Sequence, residues 1–120
     1  EAFHEPDGAG FAVDQVHISD TVQGVVLALD KPQHRFEAYN VATGSAPTIA
    51  DTADAVNRAI PGARVTVGGG ASHMLAGRIL SARKGALDIS RAVQELGYKP
   101  RYDLQSGMAA TVAATRAAMG

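Results

Sequence analysis

Short β-branched stretches alternate with amphipathic stretches along this 120-residue chain, and that alternation constrains its fold more than any other feature. The stretches at 13–18, 36–44 and 63–69 have the aromatic and β-branched content of strands. The alternation predicts an α/β protein with a small, mostly parallel sheet of short strands and about four helices. Because three short strands make a thin sheet, the chain is expected to be part of a larger α/β assembly.

Each of the four amphipathic stretches begins with a residue type that caps helices. Gly97 is expected to end the third helix in a left-handed conformation, and Pro100 prevents the helix from resuming. In the first helix, apolar residues recur every three or four positions and form one face. The expected caps are Ser19 or Asp20, Thr48, Asp88 and Asp103, and the apolar face of the first helix is Val22, Val25, Val26 and Leu29.

Composition excludes several classes of function. The chain is 46% hydrophobic and 19% charged, as ordinary globular proteins are, and its net charge of −1 favours neither nucleic acid nor an acidic membrane surface. It has no cysteine, which rules out disulfides, thiolate metal sites and cysteine nucleophiles. No apolar run approaches the roughly 20 residues of a membrane span, so a cytoplasmic location is expected. No metal site is expected, since His4, Glu5 and Asp7 lie on a polar terminus.

The stretch 55–87 has no acidic residue, although it is rich in glycine near its end and carries five basic side chains. A guanidinium can bind a phosphate or carboxylate through two parallel hydrogen bonds, so this stretch predicts contact with an anionic small molecule. The alternative is that these are solvated charges that balance acids elsewhere. The basic residues are Arg58, Arg64, Arg78, Arg83 and Lys84.

Three motifs occur in order over about 13–119: "VHISDTVQGVVLAL", "AYNVATG" and "LDISRAVQELGYKPRYDLQSGM". Together they resemble the C-terminal part of the extended short-chain dehydrogenase/reductases, the NAD-dependent epimerase/dehydratase family. The resemblance implies a Rossmann-type fold and a parent protein well over twice this length. Residues 1–120 would then be a single substrate-binding lobe, and the nucleotide-binding half would lie outside this sequence.

The resemblance also implies what this chain lacks. The family's Gly-rich dinucleotide-binding turn and its Tyr-x-x-x-Lys catalytic pair belong to the missing half, and none of Tyr39, Tyr98 and Tyr102 has lysine four residues later. We therefore expect no catalytic residue and no cofactor-binding residue here, with NAD or NADP bound only by the intact protein. The expected partners are an anionic sugar-type substrate and the missing N-terminal half or another protein chain.

Three residues are predicted to contact the substrate. Arg78 lies ten positions before Asp88, where the family has an arginine that contacts the substrate diphosphate, and Arg83 is a second candidate. The third is Asn40, at the end of the best predicted strand, whose amide either ties neighbouring loops together or lies near the nicotinamide side of the cofactor. Val13 stands where sugar-nucleotide enzymes of the family often have a second arginine, so the substrate class stays open.

The sequence is consistent with two functions, one enzymatic and one non-catalytic. The first is the substrate-binding portion of an NAD(P)-dependent sugar or nucleotide-sugar epimerase, dehydratase or dehydrogenase, inactive by itself. The alternative is a non-catalytic binding or interaction module derived from the same lobe, in which the exposed edge of "FEAYNVA" recruits another chain.

Overall fold

A computed structural model describes residues 11–68 and 85–120 of the protein. The elements, in chain order, are α1 (Ile18–Asp30), α2 (Ile49–Ala59), a short π-helix (Ala92–Leu96) and α3 (Leu104–Met119). Helix α2 packs against α3, and α1 packs against the π-helix. None of the helices within these two ranges is both long and apolar enough to cross a membrane.

Local capping signals set most of the helix limits as predicted. Thr48 and Asp51 form a reciprocal capping box at the start of α2, and Asp103 forms one with Ser106 at the start of α3. Gly97 has φ +70°, and its N–H reaches the carbonyls at the start of the π-helix, so the predicted left-handed stop is confirmed.

The start of α1 differs from the prediction. His17, expected on a strand, is the N-cap: its Nδ1 accepts a hydrogen bond from the Ser19 N–H at 3.2 Å. Its ring also stacks on that of Tyr102, with 4.1 Å between centroids. Asp20 is therefore not the cap but a residue of the first turn, and its carboxylate accepts hydrogen bonds from the N–H groups of Arg101 and Tyr102.

The predicted strands do not form a sheet among the described residues. The β-type pairing found in residues 11–68 and 85–120 is one isolated antiparallel bridge between Ala12 and Thr48. Residues 36–44 and 63–68 are neither helical nor paired as strands. The mostly parallel sheet expected from the sequence is thus not found in this part of the chain.

Side chains take the place of a strand partner along these segments. Asn57 on α2 accepts from the N–H of Val65 at 2.7 Å and donates to its carbonyl at 3.0 Å, as a neighbouring strand would. The Tyr98 hydroxyl donates to the carbonyl of Ala42 at 2.7 Å. Because buried backbone groups must find some partner, these contacts allow strand-like sequence to pack without a ladder.

The buried centre lies where α1 meets the π-helix. Ala92, Leu96 and Tyr98 form it, and burial together with the nearby Asp20 carboxylate raises the pKa of the Tyr98 hydroxyl above its ordinary value. Val93, in the same π-helix, is 44% exposed. The half-buried residues packed around this centre are Leu27, Ala28, Tyr39, Val41 and Ile89.

Candidate functional site

The carboxylate of Asp14 joins three segments that are far apart in the sequence. Its Oδ1 accepts from the N–H of Thr43 at 2.9 Å and from the Thr43 hydroxyl at 2.6 Å. Its Oδ2 accepts from the N–H of Gly44 at 2.9 Å and from the N–H of Leu87 at 3.2 Å. Asp14 thereby holds the end of the 36–44 segment beside the residues that lead into the π-helix.

The backbone at Gly44 is shaped for this contact. Its φ is +78°, a left-handed conformation that favours glycine, and a Cβ there would lie 3.3 Å from Ile89 Cδ1. Both constraints explain why a glycine ends the "AYNVATG" motif. The chain turns here so that two successive N–H groups, those of Thr43 and Gly44, point at one carboxylate.

The environment of Asp14 keeps it ionised. Partial burial raises the pKa of this carboxyl, but the hydrogen bonds from Thr43, Leu87 and Gly44 outweigh burial and hold the pKa below its ordinary value of 3.8. A carboxylate that accepts four hydrogen bonds has little basicity left for proton transfer. Asp14 is therefore a structural anchor of this site and not a general base.

We expect the substitution Asp14→Asn to lower the free energy of unfolding at pH 7 by about 2 kcal/mol, because charge-assisted hydrogen bonds are lost. Since the folded-state pKa lies below the unfolded one, the contribution of Asp14 is fully present above about pH 4 and is lost as the pH falls through the folded pKa. The difference in stability between wild type and Asp14→Asn should therefore shrink below that pH. Urea titrations at several pH values from 7 down to about 2.5 check this.

The carboxylates that cap helices provide the control. Hydrogen bonds with Thr48 and Ser106 also lower the pKa values of Asp51 and Asp103. Because these two carboxylates are present in the wild type and in Asp14→Asn, both proteins should lose stability in acid. Only the difference between the two proteins reports on Asp14. A difference that stays constant from pH 7 to 2.5 would contradict the role assigned to its charge.

Asn40 lies next to this anchor. Its Nδ2 donates to the carbonyl of Asp88 at 3.0 Å, so the amide ties the 36–44 segment to the start of the next helix. Asp88 in turn accepts from the N–H and the hydroxyl of Ser90, and those bonds lower its pKa. The loop-tying alternative considered for Asn40 is thus observed, and its contact with a substrate stays a prediction.

The other two predicted substrate residues, Arg78 and Arg83, lie outside the described residues, as do His4, Glu5 and Asp7. The structure does place Leu87 and Asp88, which follow the basic stretch, directly on Asp14 and Asn40. Sequence reasoning missed Asp14, because its partners are 29 to 73 residues away and leave no local signal.

A second carboxylate, that of Asp20, binds the backbone of the segment that leads into α3. It is 1% exposed and accepts from the N–H groups of Arg101 and Tyr102, each at 3.0 Å. Gln23, one turn later on α1, bonds both the N–H and the carbonyl of Lys99. Two polar side chains of α1 therefore bind the backbone of "GYKPRY" at Lys99, Arg101 and Tyr102. From the sequence this stretch was predicted only to end a helix.

A cavity of about 260 Å³ lies apart from these anchors, between α2 and the start of α3. Two of its carboxylates, Asp51 and Asp103, are already engaged in helix capping. Asn40 is the predicted substrate residue that the structure describes, and it does not line this cavity. The described residues that line it are Asp51, Asp54, Ala55, Arg58, Asp103, Leu104 and Gln105.

A curated protein of known activity is similar to most of this chain. The chain is 32% identical over 106 residues to a curated dTDP-glucose 4,6-dehydratase from Actinoplanes sp. (strain ATCC 31044 / CBS 674.73 / SE50/110). The match covers 87% of this chain and 31% of that protein, in its C-terminal region. The family resemblance is confirmed.

Solved structures share the fold of this chain. A UDP-glucuronic acid 4-epimerase from Bacillus cereus, in complex with UDP-glucuronic acid and NAD, is 22% identical with a TM-score of 0.69. A GalE-like L-threonine dehydrogenase from Cupriavidus necator is 21% identical with a TM-score of 0.71. The matches cover 93% and 89% of this chain but only 34% of each of those chains.

The chain thus spans about a third of the length of the proteins it matches. No protein-family model matches it. Within the region that is shared, the described residues have the fold of the corresponding part of those two solved enzymes.

Proposed function

We propose that this chain is the substrate-binding C-terminal portion of an NAD(P)-dependent epimerase, dehydratase or dehydrogenase that acts on a sugar or a nucleotide sugar. The observation that carries the proposal is the match over 106 residues to the C-terminal region of a dTDP-glucose 4,6-dehydratase. The anchors support it, because Asp14 joins the second motif at Thr43 to the third at Leu87. Asp20, in the first motif, is bonded to the third at Arg101 and Tyr102.

The chemistry of the intact enzyme would come from residues outside this chain. A nicotinamide cofactor supplies a hydride acceptor when bound, and the sequence has neither the Gly-rich turn nor the Tyr-x-x-x-Lys pair to use one. This chain would bind and orient the substrate. We therefore propose that it is catalytically incompetent alone and binds NAD or NADP only as part of the intact protein.

Substrate contact is assigned to Arg78, Arg83 and Asn40. The acid-free stretch that contains both arginines gives a local positive potential suited to a diphosphate or carboxylate. The fixed residues Leu87 and Asp88 follow that stretch in sequence, so Asp14 and Asn40 would position its C-terminal end. In this proposal Asp14 is a positioning residue, and the two arginines bind the anion.

The test replaces the matched segment of the Actinoplanes dehydratase with this chain. We expect the chimaera to bind NAD, measured by fluorescence titration, and to turn over one of three substrates: dTDP-glucose, UDP-glucuronic acid or L-threonine. The free chain should bind no NAD under the same conditions. Failure of the chimaera to bind NAD would overturn the proposal, and NAD binding without turnover of any substrate would favour the non-catalytic binding module.

Substitution of one arginine tests the substrate site separately. In the chimaera, Arg78→Ala should raise the KM for the substrate about tenfold or more, since one charge-assisted contact is lost, and should leave NAD affinity unchanged. Arg64→Ala is the matched control, because Arg64 belongs to the same acid-free stretch and is exposed. Equal effects of the two substitutions would show a general effect of charge and remove Arg78 from the site.

A further inference from the structure

The cavity between α2 and the start of α3 has more hydrogen-bond acceptors than donors on its walls. Its polar lining residues, among those that the structure describes, are Asp51, Asp54, Asp103, Gln105 and Arg58. Three carboxylates and one guanidinium give these walls a formal charge of −2. The capping hydrogen bonds lower the pKa values of Asp51 and Asp103, so both carboxylates stay ionised at neutral pH.

One acceptor on these walls is buried and has no donor. The Oε1 of Gln105 is shielded from solvent, and no N–H or O–H group of the described residues donates to it. Buried polar atoms of folded proteins nearly always have a partner, so an orphaned oxygen on a cavity wall indicates that a donor is missing. The neighbouring carboxylates favour a donor that carries positive charge. The cavity therefore suits a cation that has N–H groups.

The spacing of the carboxylates does not suit a metal ion. Within 11–68 and 85–120, no group of three or more histidine, aspartate or glutamate side chains is arranged so that it could hold one ion. A hard metal cation needs six or more oxygen ligands around a single point. Carboxylates spread over the walls of a cavity instead match a cation whose charge is spread over its length.

The size of the cavity and its apolar walls restrict the cation further. A volume of about 260 Å³ is below the roughly 300–1,000 Å³ of common ligand pockets, which makes the cavity too small for a nucleotide sugar. Ala55 and Leu104 add apolar surface to the same lining. A short hydrocarbon chain packs on such surface as the stem of a lysine side chain does. Charge, size and apolar surface together describe a small dication with a hydrocarbon middle.

We propose that this cavity binds a short alkyl diamine. One ammonium group donates to the Oε1 of Gln105 on α3, and the other is bound by the carboxylate of Asp54 on α2. Because the ligand contacts both helices, it stabilises their packing in proportion to its concentration. The site is separate from the proposed function, since none of its lining residues is assigned to the substrate of the intact enzyme.

Titration of the chain with 1,4-diaminobutane at constant ionic strength, followed by two-dimensional ¹H–¹⁵N NMR, tests this proposal. We expect saturable shifts of the amide signals of 51–58 and 103–107, with a dissociation constant of about 1 mM, because exposed ion pairs are individually weak. Butylamine has one ammonium group and should bind about tenfold more weakly. The uncharged 1,4-butanediol should not bind.

Two substitutions identify the groups that bind the diamine. Asp54→Asn removes a carboxylate and Gln105→Met removes the orphaned acceptor, and neither residue belongs to a capping box. Each should weaken diamine binding about fivefold or more. Asp30→Asn is the matched control, because Asp30 is exposed and does not line the cavity, and it should leave the affinity unchanged.

Three results would overturn the proposal. The first is the lack of saturable binding up to about 20 mM diamine, a concentration well above the expected dissociation constant. The second is equal affinity for butylamine and the diamine, and the third is an equal effect of Asp54→Asn and Asp30→Asn. Either of these last two would show a general attraction of cations to the chain. None of the three bears on NAD binding by the chimaera, so the proposed function is tested separately.

Discussion

Replacement of Asp20 by alanine is expected to lower the free energy of unfolding by about 3 kcal/mol, the largest effect of any single polar substitution considered for this chain. The carboxylate is 1% exposed and is the hydrogen-bond acceptor for the N–H groups of Arg101 and Tyr102. Alanine leaves both N–H groups without that acceptor. Chemical denaturation followed by circular dichroism measures the change.

Two further variants make the Asp20 result specific. Asp20→Asn keeps one acceptor oxygen but directs a donor at the same backbone, so we expect a loss that is smaller than with alanine but still above 1 kcal/mol. Asp30→Asn, at the exposed end of the same helix, should change stability by less than about 0.5 kcal/mol. If Asp20→Ala were no more harmful than Asp30→Asn, the anchoring role of Asp20 would be wrong.

The second large effect is expected at Gly24, in the middle of α1. A Cβ at this position would lie 2.5 Å from Val41 Cγ1 and 2.7 Å from Val41 Cγ2, far inside van der Waals contact. Alanine would gain about 1 kcal/mol of helix propensity over glycine. Because the branched Val41 side chain is stiff, overpacking should exceed that gain, and we expect Gly24→Ala to destabilise the chain by about 2 kcal/mol net.

A double-mutant cycle tests whether the contact with Val41 is the cause. Val41→Ala removes both branch atoms, so the double variant Gly24→Ala/Val41→Ala should recover most of the loss caused by Gly24→Ala. Gly85→Ala is the control, since a Cβ there meets nothing within 4 Å. Additive effects of Gly24→Ala and Val41→Ala would show that close packing against Val41 does not explain the glycine.

Helix limits were predictable because the signals that set them are local. Thr48 reaches the N–H of Asp51 three residues later, and Asp103 reaches Ser106 over the same distance. Such contacts depend on residue type and spacing alone, so the sequence carries them without knowledge of the fold. The family resemblance was also predictable, because it rests on motif residues and their order.

Strands and anchors were not predictable in the same way. A strand needs a neighbour, and segments 36–44 and 63–68 have strand-like residues but no ladder among the described residues. Asp20 has the residue type of a cap and His17 was expected on a strand, yet His17 caps α1 and Asp20 lies in its first turn. Local sequence carries no signal for the role of Asp20, since its partners are 81 and 82 positions away.

The amino-acid sequence by itself determined where α2 and α3 begin, where the π-helix ends, which family this chain resembles and which catalytic motifs it lacks. Only the tertiary structure decided that His17 caps α1, that Asp14 and Asp20 are anchors, and that the predicted apolar face of α1 is exposed. The physical reason is distance along the chain. A cap is satisfied by atoms three residues away, whereas a buried carboxylate or an apolar helix face acquires its role from groups that folding brings together from remote parts of the chain.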